Sequence, residues 1–282
     1  MVVSSSTLQS YDAPLDRIRL HREGDSRVIV LTEGAPDRTV LRKLLPSHVQ
    51  IFPLGTRPVV LDVLRTVLAE GLGPAVAVVD RDFDEAVQIQ INGGMPVVPY
   101  DNADLESALW ATPILEESLA VIGNLNKISA FGGAEKIRSF IDSLLLPLQR
   151  LRAANTAQSL GLRFDTIDLR RRIKPGKLTL NIEGLCDSLH SRGGNVSRAD
   201  LIRIARSYDC PCEPIYGLPL FRGKDRLSAL GIVMKRRLGD LSHKEAEAEN
   251  ISRIFYAASR PELLEDCNWV VGLLALVASQ DC

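Results

Sequence analysis

Three short β-branched apolar runs constrain the fold of this chain most: RVIVLTEG from Arg27, VQIFPLG from Val49 and PAVAVVDRDFDE from Pro74. Each is apolar on consecutive residues and closed by a turn or by acids, as expected of a strand buried on both faces of a parallel sheet. Between the first two the period changes. Val40, Leu41, Leu44 and Leu45 fall on one helical stripe, with Pro36 near its start and Pro46 after its end. RPVVLDVLRTVLAEGLG reads as a second helix closed by Gly71. Strand, helix, strand, helix, strand in close succession implies a parallel sheet with right-handed crossovers. MPVVPYDN adds a fourth strand, and the ADLESALWATPILEESLAVI segment a further helix.

From residue 121 to 207 the strand signals stop and helical patterns dominate. The expected organisation is a tail over 1–25 holding one short helix or strand, an α/β core over 26–120 and a helical insert or second helical subdomain over 121–207. A returning strand within CEPIYGLPLFRGKDRLSALGIVMKRRLG and C-terminal helices then occupy 208–282. Order is expected from Arg27 onward. The apolar stretch Trp269 to Ala278 is half the length of roughly 20 residues that crosses a bilayer, so it reads as a buried C-terminal helix and not a membrane span.

Composition limits the functional classes. With 282 residues, 45% hydrophobic and 24% charged, the chain is long enough for a sizeable core and unlike disordered or disulfide-built proteins. Thirty-four basic against thirty-five acidic residues make any nucleic-acid or membrane surface a matter of local clustering. Five irregularly spaced cysteines and the lack of an export signal suggest the cytoplasm. The stretch RFDTIDLRRRIKPGK gathers Arg163, Arg170, Arg171, Arg172, Lys174 and Lys177 against Asp165 and Asp168. Such a run binds backbone phosphates without reading sequence, or is a solvated loop. Cys186, His190, Cys210 and Cys212 lack a usual zinc spacing. SRADLIRIARSYD, with Ser197 as N-cap, reads as a core helix, with no evident helix-turn-helix partner.

The acids carry the chemistry. In an open parallel sheet, ligands bind beyond the carboxyl ends of the strands. Glu33 ends the first strand, before Gly34 and Asp37, and Asp80, Asp82 and Asp84 end the third. Crowded carboxylates repel unless a cation sits among them, and a hard oxygen site suits Mg²⁺ or Mn²⁺. Glu106 in DNADLESALW is a further candidate oxygen ligand. Each acid taken singly has a plainer use, capping the helix that follows. An EF-hand is excluded, because Glu85 and Ile91 stand where the loop needs Gly and Glu. An aspartyl-nucleophile phosphatase also uses D-x-D after a strand, usually the first, and would leave Glu33 unexplained.

The E-G turn after the first strand and D-x-D after the third resemble the Toprim fold of topoisomerases, primases and the overcoming-lysogenization-defect nucleases. More closely, VLTEGAPDRTVLRKLL, VAVVDRDFD, DLESALW and FRGKDRLSAL are similar to the AriB-like family of Toprim nucleases, effectors of PARIS antiphage defence. The resemblance spans residues 27 to about 240 and departs from the usual pattern at Ala35 and Pro36. It implies a Toprim-like parallel sheet and metal-dependent phosphodiester cleavage, with Glu33, Asp80 and Asp82 as motif acids and Glu106 as the helix acid. Lys224 in RGKD would neutralise charge on the scissile phosphate, or is a solvated helix-start lysine. No tyrosine context for strand passage is evident, so hydrolysis is expected, of RNA (transfer RNA foremost) by the closer resemblance and of DNA by the wider one. The family further implies an ABC-type ATPase partner and self-association. No G-x-x-x-x-G-K-[ST] occurs in the chain. The apolar IFYAASRPELLEDCNWVVGLLALV is either internal core or the surface that meets that partner. The rival expectation is a regulatory or scaffold subunit that keeps the Toprim fold without turnover.

Overall fold

The structure, a computed structural model, describes residues 13–165, 167–193, 196–209 and 220–280. In chain order its elements begin with α1 (Pro14–Arg22), β1 (Ile29–Thr32), α2 (Ala35–Leu44), β2 (Gln50–Pro53), α3 (Arg57–Ala69), β3 (Ala75–Val79), α4 (Ala86–Asn92) and β4 (Val97–Pro99). Then follow α5 (Leu105–Trp110), α6 (Ile114–Ile122), α7 (Leu125–Phe131), α8 (Gly133–Gln158), α9 (Leu169–Arg172), α10 (Ile182–His190) and α11 (Arg198–Ser207). Last come α12 (Gly223–Val233), a π-turn (Met234–Leu238), α13 (Ala248–Ala258), a short 3₁₀ turn (Pro261–Leu263) and α14 (Asn268–Gln280). The chain divides into a sheet unit, Met1–Asp80 with Ala86–Tyr100 and Arg260–Cys282, and a helical unit, Arg81–Glu85 with Asp101–Ser259.

In the sheet unit the strands are parallel in the order β2-β1-β3-β4, with Ile29 beside both Gln50 and Ala75, and Ala77 beside Val97. Every residue of β1 and β3 is buried, which is why those runs read as continuously apolar. Leu64 and Val67 of α3 and Ile18 of α1 join the core against Ile29, Leu31, Ala75 and Ala77. Order therefore begins well before Arg27. Pro14 opens α1 at a position that needs no N–H, Ile18 anchors the helix, and the Arg22 guanidinium donates to the carbonyl of Pro74 at 2.7 Å. At the other end of the chain α14 packs on β3 and β4. The expectation of a buried helix holds for one face, that of Trp269, Val270, Leu273 and Val277, while Val271 and Leu274 are 55% and 41% exposed.

The helical unit is built on α8, whose Ile137, Ile141, Leu145 and Leu148 are buried and against which α11 and α12 pack. Gly231 lets α12 press on the chain entering α13: a Cβ there would stand 2.0 Å from the Ala246 carbonyl oxygen. Two arginines are buried, each against a half-buried carboxylate. Arg226 meets Asp142 at 2.8 and 2.9 Å, and Arg152 meets Asp225 at 2.6 and 3.0 Å. Most of the expected returning strand lies outside the described residues, which resume at Leu220 and enter α12 three residues later. Among the described residues no helix is long and apolar enough to cross a membrane.

Candidate functional site

The strand order creates a crevice in the sheet unit. From β1 the chain crosses to β2 on one side, and from β3 to β4 on the other, so the connections diverge beyond the carboxyl ends of two adjacent strands. Glu33 follows β1 at that point and Asp80 follows β3. They are brought together: Glu33 Oε1 accepts the Asp80 backbone N–H at 2.9 Å. The Glu33 carbonyl in turn accepts from Gly55 at 2.9 Å, where φ of +114° requires glycine. Arg57, opening α3, has Nη1 3.4 Å from the Asp80 carbonyl. Both acids are half-buried, held by backbone contacts at the ends of rigid strands. Asp37 has another task. It is buried, with one carboxylate oxygen accepting the Gly34 N–H at 2.9 Å and the other the Tyr100 hydroxyl, so it fixes the E-G turn.

The remaining acids belong to the helical unit. Asp82 takes φ of +54°, a conformation Asp tolerates better than most residues, and donates its N–H to the Ala103 carbonyl at 2.9 Å. That bond sets the D-x-D segment against the chain that enters α5. Asp82 is exposed, Asp84 half-buried, and Phe83 between them packs by Ala103, Ala153 and Leu220. Glu106 in α5 receives the Tyr256 hydroxyl on Oε1. Asp104, which sequence reasoning passed over, is a strongly perturbed carboxyl. It caps α5 through the Ser107 N–H at 2.9 Å and accepts the Gly223 N–H at 2.8 and 3.0 Å. Burial, with the Glu106 charge beside it, pushes Asp104 up to about 7 against the pull of those hydrogen bonds. A helix N-cap before L-E-S was the readable signal. Tyr256 and Arg57 had none, since their partners are fixed by tertiary packing.

Lys224 is exposed in the first turn of α12, next to Gly223. Gly223 admits the close approach: a Cβ there would meet Glu106 Cβ at 2.3 Å and Asp104 Oδ1 at 2.5 Å. The basic stretch is split in use. Arg172 donates to the Ser188 hydroxyl, and Arg170 lies against His243. Arg163, Arg171, Lys174 and Lys177 face solvent. Cys186 is buried in α10, its thiol pushed up to about 11 chiefly by that burial, while Cys210 and Cys212 lie outside the described residues.

For a divalent cation the donor chemistry fits, since carboxylate oxygens suit Mg²⁺ or Mn²⁺ and the Glu33 carboxylate is held in place by the Asp80 N–H. Among the described residues no group of three or more His, Cys, Asp or Glu side chains is gathered as a metal cluster. Fold and site together define a parallel α/β protein in which the Glu33 carboxylate is anchored on the Asp80 backbone N–H at the β1/β3 switch point. No known family model matches the chain, and no curated protein matches its sequence.

Proposed function

We propose that this chain is a Toprim-like, divalent-metal-dependent nuclease that hydrolyses phosphodiesters of RNA, with DNA the less favoured substrate. The observation that carries the reading is the Glu33 carboxylate anchored on the Asp80 N–H at the switch point of a parallel sheet, where ligands of such folds bind. In this reading Glu33, Asp80 and Asp82 are the principal metal ligands, and Asp84 and Glu106 supplementary ones. Mg²⁺ or Mn²⁺, when bound, supplies the Lewis acidity that activates water and stabilises the leaving oxygen. The chain's part is to hold the carboxylates in place: the Asp80 N–H orients Glu33 and the Tyr256 hydroxyl orients Glu106. Exposed Lys224 meets charge developing on the phosphate, and Arg170, Arg171, Arg172, Lys174 and Lys177 form the nucleic-acid-binding stretch. The absence of a Walker motif and the family resemblance support control by a separate ABC-type ATPase in antiphage defence.

The test is expression in cells, alone and together with an ABC-type ATPase of the proposed kind, followed by sequencing of RNA ends. Wild type is expected to be toxic and to leave discrete new ends, and Glu33→Ala and Asp80→Ala to abolish both. Intact RNA beside degraded chromosomal DNA would reverse the substrate. Equal harmlessness of wild type and Glu33→Ala, with no metal-dependent cleavage of either nucleic acid, would leave the regulatory or scaffold reading in its place.

A further inference from the structure

Within the helical unit, two segments far apart in sequence bring positive charge to one cavity. The α9 segment supplies Arg170, and the π-turn at the end of α12 supplies Lys235 and Arg236. The cavity, about 150 Å³, is lined by these three with His243, Ile232 and Ala246. The basic stretch is clamped to the π-turn, since Arg236 donates to the carbonyl of Ile173 at 2.9 Å and of Arg170 at 3.1 Å. Arg170 Nη1 lies 3.0 and 3.2 Å from the two ring nitrogens of His243. Glu247 lies against this group, 3.7 Å from Arg170 and 3.8 Å from His243. Asp168 is engaged elsewhere, capping α9 and pairing with Arg171 at 3.4 Å. Lys235 is exposed and has no hydrogen-bond or ion-pair partner among the described residues. Three cations beside one carboxylate leave net positive charge at the cavity, and an anion among them relieves their repulsion. The π-turn is itself a departure from regular helix of the kind that recurs at functional sites.

We propose that this cavity binds a phosphate group, supplied by the backbone of a nucleic acid. Arg170, Lys235, Arg236 and His243 line the same cavity, and such a set of nitrogen groups around the free Lys235 ammonium suits the several oxygens of a phosphate better than the two of a carboxylate. The nucleic-acid source follows from the charge beyond the cavity. Arg171, whose side chain is 82% exposed, and exposed Lys174 and Lys177 continue the basic track from α9, as successive phosphates of one strand would require. The site rests on the nucleic-acid reading above for its source alone and is independent of hydrolysis.

Binding is measured with the full chain in chelator, so that cleavage plays no part, by anisotropy of a short labelled single-stranded RNA over a range of salt. Adenosine monophosphate and inorganic phosphate are titrated separately by calorimetry. Lys235→Glu is expected to weaken RNA binding about tenfold and to make the dependence of log Kd on log salt shallower by about one. Unchanged RNA affinity with lost binding of the monophosphate would assign the same site to a free phosphomonoester. Unchanged affinity for every probe would overturn the inference. Lys235→Gln, which removes the charge without reversing it, serves if the Glu variant melts at a lower temperature than wild type. A nuclease that fails this test keeps its activity reading, and a protein that passes it without cleaving anything keeps the phosphate site.

Discussion

At the scale of single residues, Asp104 makes the sharpest prediction. Its carboxyl is raised in the folded protein above the ordinary range near 4, so the folded state holds a proton that the unfolded state releases. The stabilising contribution is complete below about pH 4 and is lost as pH rises through about 7. Asp104→Asn keeps an acceptor for the Ser107 and Gly223 N–H groups and removes the titration. The variant is therefore expected to gain on wild type between pH 4 and pH 8, by on the order of 3 kcal/mol. Urea denaturation at both ends of that range checks it, and parallel pH profiles for the two proteins would contradict it. Glu33 and Asp37, only four positions apart, show how environment divides like side chains. One sits half-buried on the Asp80 N–H at a strand end, and the other is buried between the Gly34 N–H and the Tyr100 hydroxyl.

At the scale of elements, the glycines of α12 decide how closely it packs. Gly231→Ala would add helix propensity worth about 1 kcal/mol, yet its methyl would overlap the Ala246 carbonyl, a backbone atom that cannot swing aside. Overpacking of this kind costs about 1–3 kcal/mol, so a net loss of stability is expected, read as a lower thermal midpoint. An unchanged or higher midpoint would show that the chain before α13 yields. The same helix ends in the π-turn that exposes Lys235, Arg236 and Arg237 in succession, although Arg237 then lies over the Phe131 ring at 5.2 Å. In MKRRLG the run looks like an ordinary basic helix end, because a π-turn is chosen by what the following chain packs against and leaves little local signal.

At the scale of the whole molecule, α14 returns some 170 residues after β4 to cover the sheet unit, where Trp269 is buried with its ring edge-on to Tyr100 at 5.1 Å. Trp269→Ala is expected to cost about 3–5 kcal/mol, and a chain ended after Ser259 to lose the native sheet. Far-ultraviolet circular dichroism with denaturant titration reads both, and native-like melting of the shortened chain would contradict the second. The parallel α/β architecture was legible in local pattern. β1 and β3 are buried on both faces, so their apolar runs carry the signal unaided, and Glu33 and Asp80 are legible because they directly end those strands. Local pattern also sufficed for α2 and α3, whose apolar stripes mark the buried face, with Pro36 and Pro46 limiting the first and Gly71 closing the second. Tertiary structure alone decided the strand order that places Glu33 beside Asp80, the burial that perturbs Asp104, the meeting of Arg170 with Lys235 and Arg236, and the docking of α14. Each of these depends on contacts between segments distant in the chain, and the free energy of such contacts comes from desolvation and packing that no local period encodes.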